Sequence, residues 1–259
     1  ETLAQAPHRL IDICDPSEAY SAARFRRDAM AAIEEIIAAG KMPLLVGGTM
    51  LYYRALSEGL SPLPSADEAV RAALEAEAER IGWGAMHARL ARIDAVSAAR
   101  IHKNDPQRIQ RALEVYEITG RSMTELTSRD EREPFPYPVK KLIVAPPQRA
   151  ELHRRIEQRF KQMMAQGFLD EVAQLYARSD LHVGLPALRS VGYRQLWMHL
   201  DGELTLDAAV ERGIIATRQL AKRQITWLRA EKNEKWVDGS DRNVMNMVLK
   251  LVEGGTTHE

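Results

Sequence analysis

The stretch "KMPLLVGGT", residues 41–49, decides the expected fold class. Its Leu-Leu-Val run at residues 44–46 is continuously apolar, which is typical of a strand buried in a parallel sheet. The run ends in the pair Gly47 and Gly48. Residues 17–40, just before it, have the periodicity of a helix that ends at a glycine. A helix followed by a short apolar strand predicts an α/β protein.

The segments further along predict two parts in the chain. Between residues 64 and 136 the pattern is helical, and no strand-like run interrupts it. "KLIVAP", residues 141–146, is strand-like again, and "EKWVD", residues 234–238, is a candidate edge strand. We therefore expect an α/β core built from residues 1–63 and 137–259, with residues 64–136 inserted as a helical domain.

The composition is that of a soluble globular protein. The chain has 259 residues, of which 45% are hydrophobic and 28% charged, and its formal net charge is zero. A nucleic-acid site must therefore come from local segregation of charge. The single cysteine, Cys14, excludes an internal disulfide framework and fits a reducing cytoplasm. Because no apolar run approaches the ~20 residues of a membrane span, we expect a cytoplasmic protein without a membrane partner.

The turn "VGGT", residues 46–49, is a candidate ligand site. Two glycines after a strand let the backbone approach a ligand closely, and ligands of open α/β sheets bind at the carboxyl ends of strands. Thr49 adds a hydroxyl donor. A tight strand-to-helix turn without any ligand is the alternative interpretation.

Arg155, Arg159 and Gln162 are spaced at i, i+4 and i+7 along a predicted helix. They lie opposite an apolar stripe that includes Ile156 and Phe160. The planar guanidinium of arginine suits a phosphate or a diphosphate. A solvated helix face explains the same spacing.

The helix "ATRQLAKRQITWLR", residues 216–229, is strongly basic. Residues 213–229 contain no acidic residue, and Arg218, Lys222, Arg223 and Arg229 give a local charge of +4. In a chain of zero net charge this segregation indicates contact with a phosphate backbone. A basic surface helix without a partner is the alternative.

The stretch "LRSVGYRQL", residues 188–196, combines small, basic and aromatic residues around a glycine. Such a combination suits a splayed nucleotide, because an aromatic ring can stack on a base while arginines contact phosphate. A corner between two helices, with its tyrosine in the core, is the alternative.

The stretch "NDPQRIQRALEVYEITGR", residues 104–121, predicts a helix with Asp105 as N-cap and Pro106 in the first turn. Two glutamines and two arginines occupy its first turns, where the helix dipole is already positive. Glutamine can pair with an adenine edge, and arginine can contact phosphate or guanine.

Elsewhere, Asp12 and Asp15 could hold Mg²⁺ or cap local turns.

Four blocks together give the sequence its resemblance to a known family. They are "VGGTMLYYRALSEGLSPLP", "NDPQRIQRALEVYEITGR", "LPALRSVGYRQL" and "RGIIATRQLAKRQITWLR". In order and spacing they resemble tRNA dimethylallyltransferase, the bacterial tRNA isopentenyl transferase family, over essentially the whole chain.

This resemblance implies a fold, an activity and partners. Members of the family have a core similar to that of P-loop NTPases, an ATP-binding type of fold, and a helical insertion that swings against tRNA. They transfer a dimethylallyl group from dimethylallyl diphosphate to N6 of the adenosine just 3′ of the anticodon, and Mg²⁺ assists. We expect a monomeric protein with tRNA and dimethylallyl diphosphate as its partners.

Matched motif by motif, the resemblance also assigns roles to residues. Arg159 corresponds to the arginine that grips the diphosphate leaving group, and Thr49 lies at the reaction centre and contacts tRNA. The further tRNA contacts that it implies are Arg71, Gln107, Arg108, Ile109, Gln110, Arg111, Arg189, Ser190, Val191, Gly192, Tyr193, Arg194, Lys222, Arg223, Gln224, Ile225, Thr226, Trp227, Leu228 and Arg229.

One departure from the family concerns the start of the sequence. The family's P-loop and its general-base aspartate precede the block "APHRLIDICDP", residues 6–16, and the sequence does not contain them. We expect the sequence to cover part of a longer protein, because a chain starting at Glu1 should bind diphosphate poorly and not catalyse.

Two alternatives stay open, a P-loop small-molecule kinase and a non-catalytic RNA-binding module, and the acid-free basic helix argues against the kinase.

Overall fold

The computed structural model describes residues 6–128, 133, 135–231 and 234–253. Within these residues, the regular structure consists of a two-stranded parallel sheet and twelve helices. The helices are α1 Ala22–Ala38, α2 Met50–Ser57, α3 Glu68–Ile81, α4 Trp83–Ile93, α5 Ala95–Arg100, α6 Pro106–Thr119, α7 Met123–Thr127, α8 Arg149–Ala165, α9 Phe168–Tyr176, α10 Tyr193–Leu200, α11 Leu206–Leu228 and α12 Val244–Glu253. The strands are β1 Leu142–Ala145 and β2 Lys235–Asp238. The chain divides into unit 1, which is Glu1–Tyr53 and Pro136–Glu259, and unit 2, which is Arg54–Phe135.

In unit 1 the two strands pair in parallel, with Leu142 opposite Lys235 and Ala145 opposite Asp238. Both strands lie where the sequence predicts them, so these two predictions are confirmed. A parallel pair needs a long crossover, and helices α8 to α11 supply it. The carboxyl ends of both strands therefore lie at the same edge of the sheet.

The predicted strand at residues 44–46 is wrong. These residues are extended but belong to no strand among the described residues, and Leu44 and Val46 are 74% and 85% exposed. An apolar run becomes a buried strand only where neighbouring strands take its backbone hydrogen bonds and helices cover its faces. The Leu45 carbonyl accepts a hydrogen bond from the Tyr53 hydroxyl at 3.3 Å.

The largest apolar cluster of unit 1 joins α8, α9, α10 and α11. Its buried members are Phe160, Phe168, Val172, Leu196, Ala209 and Ile214. Helix α8 presents the predicted apolar face, with Ile156 and Phe160 packed in this cluster. The long helix α11 begins at the Thr205 N-cap, whose hydroxyl accepts a hydrogen bond from the Ala208 amide at 3.3 Å.

Unit 2 consists of helices packed around one core. Leu74, Met86, Leu90, Ile109 and Leu113 are all buried there, each from the apolar stripe of its own helix.

Helix α6 starts and stops where the sequence predicts. It begins after the Asp105 N-cap with Pro106, and it ends at Gly120 in the left-handed conformation. Helix α1 likewise starts after an N-cap, Ser21, whose hydroxyl accepts a hydrogen bond from the Arg24 amide at 3.1 Å.

Helix α12 has no counterpart in the sequence-based prediction. Its Met245 and Leu249 are exposed, one turn apart.

In the ranges that the structure describes, none of the helices is long and apolar enough to cross a membrane.

Candidate functional site

A cationic cavity of about 720 Å³ lies at the carboxyl ends of β1 and β2. Ala145 and Asp238, the last residues of the two strands, line it. Its cationic side chains come from the first turn of α8 and the second half of α11. They are Arg149, Arg218, Lys222 and, at the C-cap of α11, Arg229; the carboxylates of Glu234 and Asp238 also line the cavity. A cavity with this lining at this edge of a parallel sheet is suited to an anionic ligand.

Helix α11 brings its cations to the cavity by its periodicity. Arg218, Lys222 and Arg229 are spaced at i, i+4 and i+11, which places them on one helix face, and all three line the cavity. Arg223 is not among the lining residues and is exposed. Arg218 donates to Glu157 at 2.8 Å, whereas Lys222 and Arg229 have no ion-pair partner among the described residues. These two cations can therefore meet a ligand without breaking an internal ion pair.

The glycine turn of the sequence contacts this basic helix. The Gln224 side-chain amide donates to the Gly48 carbonyl at 2.8 Å, across 176 residues of sequence. A Cβ atom on Gly48 would overlap the side-chain nitrogen of Gln224, so glycine permits the close approach. Thr49 follows and is exposed. The structure thus brings Thr49 and α11, two of the predicted tRNA-contacting elements, to one place.

The loop at residues 189–194 divides into exposed and buried parts. Arg189, Ser190 and Arg194 are exposed, and the two arginines have no ion-pair partner in the described part of the chain. Gly192 has a φ of +93°, and a Cβ there would lie 2.9 Å from the Phe168 ring, so only glycine fits. Val191 is half-buried.

Tyr193 belongs to the core rather than to the exposed part of this loop. Its ring packs edge-on against Phe168 with centroids 5.0 Å apart, and its hydroxyl donates to Glu171. Burial and that carboxylate raise the pKa of Tyr193 to about 12. The helix-corner interpretation therefore describes this tyrosine, and the two arginines stay available to a ligand.

Arg159 is exposed on α8 and has no ion-pair partner among the described residues. It does not line the cationic cavity. Its neighbour on the predicted face, Arg155, is engaged by Glu151 at 2.6 Å and by the Gly239 carbonyl at 3.3 Å. Gln162 is also exposed. Of the two arginines, only Arg159 is thus left unpaired for a ligand.

In unit 2, the first turns of α6 show which of its polar residues face solvent. Gln107 is exposed, and Arg108 is 70% exposed with a weak pairing to its own N-cap, Asp105, at 3.1 Å. Ile109 is fully buried, so its side chain contacts only the core. Gln110 donates to Glu75 at 3.0 Å.

Arg71 and Arg111 share a partner that sequence reasoning missed. Both donate to Glu114, which is fully buried, at 2.8 Å. The signal available in sequence was an acid three residues after Arg111 on a helix, at a position flanked by apolar Leu113 and Val115.

Asp15, one of the two aspartates considered for Mg²⁺, is engaged by neighbouring side chains. Asp15 accepts both terminal nitrogens of Arg178, at 2.8 and 2.9 Å, and the Ser17 hydroxyl. These hydrogen bonds, with Arg178 first, hold the pKa of Asp15 far below its usual range. Within the described ranges, no three His, Cys, Asp or Glu residues come together to hold a metal ion. The alternative, that Asp15 organises a local turn, fits its contacts.

Comparison with known proteins identifies relatives over most of the chain. The model of the IPP transferase family matches residues 1–231. A tRNA isopentenylpyrophosphate transferase from Bacillus halodurans is 35% identical, with 98% of this chain and 79% of that chain covered and a TM-score of 0.66. A tRNA isopentenylpyrophosphate transferase from Staphylococcus epidermidis is 27% identical, with 99% and 83% covered and a TM-score of 0.63.

A third similar structure is a eukaryotic dimethylallyltransferase acting on tRNA. It is 24% identical, and the alignment covers 96% of this chain and 66% of that chain. The TM-score of 0.72 shows a shared fold. The four predicted blocks lie inside the range of the family match, at residues 46–64, 104–121, 185–196 and 212–229. The chain belongs to the IPP transferase family.

Proposed function

We propose that this protein transfers a dimethylallyl group from dimethylallyl diphosphate to N6 of the adenosine 3′ of the anticodon in tRNA, with release of diphosphate. Family membership and the activities named for the two bacterial relatives support the proposal. The observation that carries it is the contact of Gln224 with the Gly48 carbonyl. This contact joins the Thr49 turn to a basic helix that lines a cationic cavity.

The chemistry requires stabilisation of a leaving diphosphate. Departure of diphosphate leaves an allyl fragment with cationic character, so the developing negative charge on the phosphates must be met by fixed positive groups. Lys222 and Arg229 in the cavity and Arg159 on α8 are unpaired cations within the described residues. We assign the leaving-group role to Arg159, and contact with backbone phosphates of the tRNA to Lys222 and Arg229.

The target adenine has to leave the stacked anticodon loop before it can react, because its N6 is otherwise shielded. Each unit, taken by itself, has exposed residues suited to contact the RNA. We assign this contact to Thr49, Gln107, Arg108, Arg189, Ser190, Arg194 and Arg223.

We further propose that unit 1 has a core of the P-loop NTPase type, that unit 2 is the tRNA-contacting insertion, and that the protein acts as a monomer in the cytoplasm.

Mg²⁺ is proposed to accompany the diphosphate. Mg²⁺ characteristically binds through substrate phosphates and one or two carboxylates and keeps several waters. The described residues offer it no cluster of three ligands, and Arg178 occupies Asp15. No step of the reaction is therefore assigned to the ion.

The test is transfer of a labelled dimethylallyl group to unmodified tRNA by the protein expressed from its whole gene, with Mg²⁺ present. We expect label on the adenosine 3′ of the anticodon. The matched control is the same tRNA with guanosine at that position, which has no N6 amine and should take no label.

Other outcomes separate the alternatives. Tight tRNA binding without transfer would overturn the proposed activity in favour of an RNA-binding protein. Phosphoryl transfer from a nucleotide to a small molecule, without any need for RNA, would overturn it in favour of a kinase.

A further inference from the structure

Glu114 is a fully buried carboxylate that receives four hydrogen bonds. Arg71 donates from Nε at 2.8 Å and from Nη2 at 3.3 Å, and Arg111 donates from Nη1 at 2.8 Å. The backbone amide of Asp67, the N-cap of α3, donates at 2.9 Å. Donors from both α3 and α6 thus converge on one side chain.

Such a carboxylate is ionised in the folded protein. Burial by itself would raise the pKa of Glu114, but the hydrogen bonds from Arg71, Arg111 and Asp67 outweigh it and lower the pKa. A buried charge is tolerated only when it is paired and hydrogen-bonded, and these contacts satisfy that condition. Two guanidiniums therefore surround this one carboxylate.

The cluster fixes the orientation of both arginines. Arg111 directs Nη2 to the Pro64 carbonyl at 2.6 Å and is 29% exposed, so it is used internally. Arg71 is 44% exposed and uses only Nε and Nη2, which leaves Nη1 without a partner in the described residues. The side-chain amide of Gln110 donates a hydrogen bond to the backbone carbonyl of Arg71 at 3.3 Å. Arg71 therefore presents one rigid, charged edge to solvent.

We propose that Glu114 is a positioning residue for RNA, which holds the Arg71 guanidinium ready for one backbone phosphate of the tRNA. The proposal rests on the proposed function, in which tRNA is the substrate. A guanidinium whose inner edge is fixed loses little conformational entropy when its outer edge meets a phosphate, and arginine suits this geometry better than lysine. Glu114 itself does not touch the RNA.

The test replaces Glu114 with glutamine, E114Q, which keeps the shape and removes the charge. The matched control is E117Q on the same helix, where Glu117 pairs with Arg89 on the surface. Both variants make the protein more positive by one charge, so simple attraction to RNA predicts equal or tighter binding for both. Positioning instead predicts that E114Q raises KM for tRNA about tenfold and leaves kcat within twofold, while E117Q is unchanged.

A second variant guards against loss of folding. R71K keeps the charge on a half-exposed side chain but cannot bind both carboxylate oxygens. We expect it to raise KM for tRNA by a similar factor with a near-native Tm. If folded E114Q binds tRNA as well as E117Q does, or if R71K binds tRNA as the wild type does, the proposal is overturned.

Direct binding keeps this proposal separable from the proposed function. The affinity for an unmodified anticodon stem-loop is measured without any prenyl donor, for the wild type and the three variants. Weaker binding by E114Q and R71K alone would support the positioning role even if no prenyl transfer occurred. Prenyl transfer with equal binding by all four proteins would support the function and overturn the positioning role.

Discussion

At the scale of single residues, the structure separates cations that are used internally from those that remain available. Arg111 and Arg218 each have an internal acidic partner, whereas Arg159, Lys222 and Arg229 have none among the described residues. In sequence all five are arginines or lysines on predicted helices. Their chemical roles differ because of their partners, which are Glu114 on the same helix for Arg111 and Glu157 on α8 for Arg218.

Replacement of Arg159 tests the leaving-group role. R159A should lower kcat for prenyl transfer by about 10²-fold, within the range seen when one transition-state donor is removed. The affinity for tRNA should stay within about twofold of the wild type, because one exposed cation adds little to binding. Single-turnover kinetics and filter binding measure the two quantities. Loss of tRNA binding with normal turnover at saturation would refute the assignment.

The pH dependence of stability tests the charge state of Glu114. Its pKa is lowered on folding, so its ionised form stabilises the protein above the pKa of the unfolded state, about 4.3. That contribution is lost as pH falls through the lower, folded pKa. The difference in free energy of unfolding between the wild type and E114Q should therefore be largest near pH 7 and shrink toward pH 3. A difference independent of pH would contradict an ionised Glu114.

At the scale of elements, a glycine in the middle of α11 sets how closely two helices pack. Gly213 is buried, and the ring of the buried Phe160 from α8 lies over it. Glycine inside a helix costs about 1 kcal/mol relative to alanine, and the close contact explains why it is tolerated. The contact holds α8, which carries Arg159, against the helix that carries Lys222 and Arg229.

The variant G213A should destabilise unit 1 by about 1–2 kcal/mol. Its new Cβ would lie 2.7 Å from Phe160 Cε2, and overpacking outweighs the gain in helix propensity. Urea unfolding measures the change. G84A is the control, because a Cβ at that helical glycine of α4 meets nothing within 4 Å. Adding Phe160→Leu to G213A should recover part of the stability, and no recovery would argue against a steric origin.

At the scale of the whole molecule, charge segregation decides how a chain of zero net charge can bind RNA. Attraction must come from local patches, and the second half of α11 is one because residues 213–229 lack acids. Counterion release then makes binding dependent on salt in proportion to the phosphates contacted.

Replacing Lys222 and Arg229 together should flatten that salt dependence. If each contacts one phosphate of the single-stranded loop, the slope of log K against log salt should fall by about 1.4 in magnitude. Titrations of an anticodon stem-loop at several salt concentrations measure it. The control is a double replacement of Arg154 and Lys161, which pair with Glu151 and Glu157 on the surface of α8. An unchanged slope for the α11 variant would remove this helix from the interface.

The sequence by itself determined those features whose causes lie within a few residues. Asp105 and Pro106 start α6 and Gly120 ends it, β1 forms at a predicted strand-like run, and β2 forms at the predicted edge strand. The shared face of Arg218 and Lys222 follows from helical spacing alone. Capping, turn chemistry and helical periodicity are local, so these features can be predicted without knowledge of the rest of the chain.

Only the tertiary structure decided the features that depend on distant partners. Leu44 and Val46 have the composition of a buried strand and yet are exposed. Glu114 meets an arginine 43 residues away, and Gln224 meets a carbonyl 176 residues away. Whether a polar or apolar side chain is buried, paired or available is set by which elements pack beside it, and spacing along the sequence does not encode that packing.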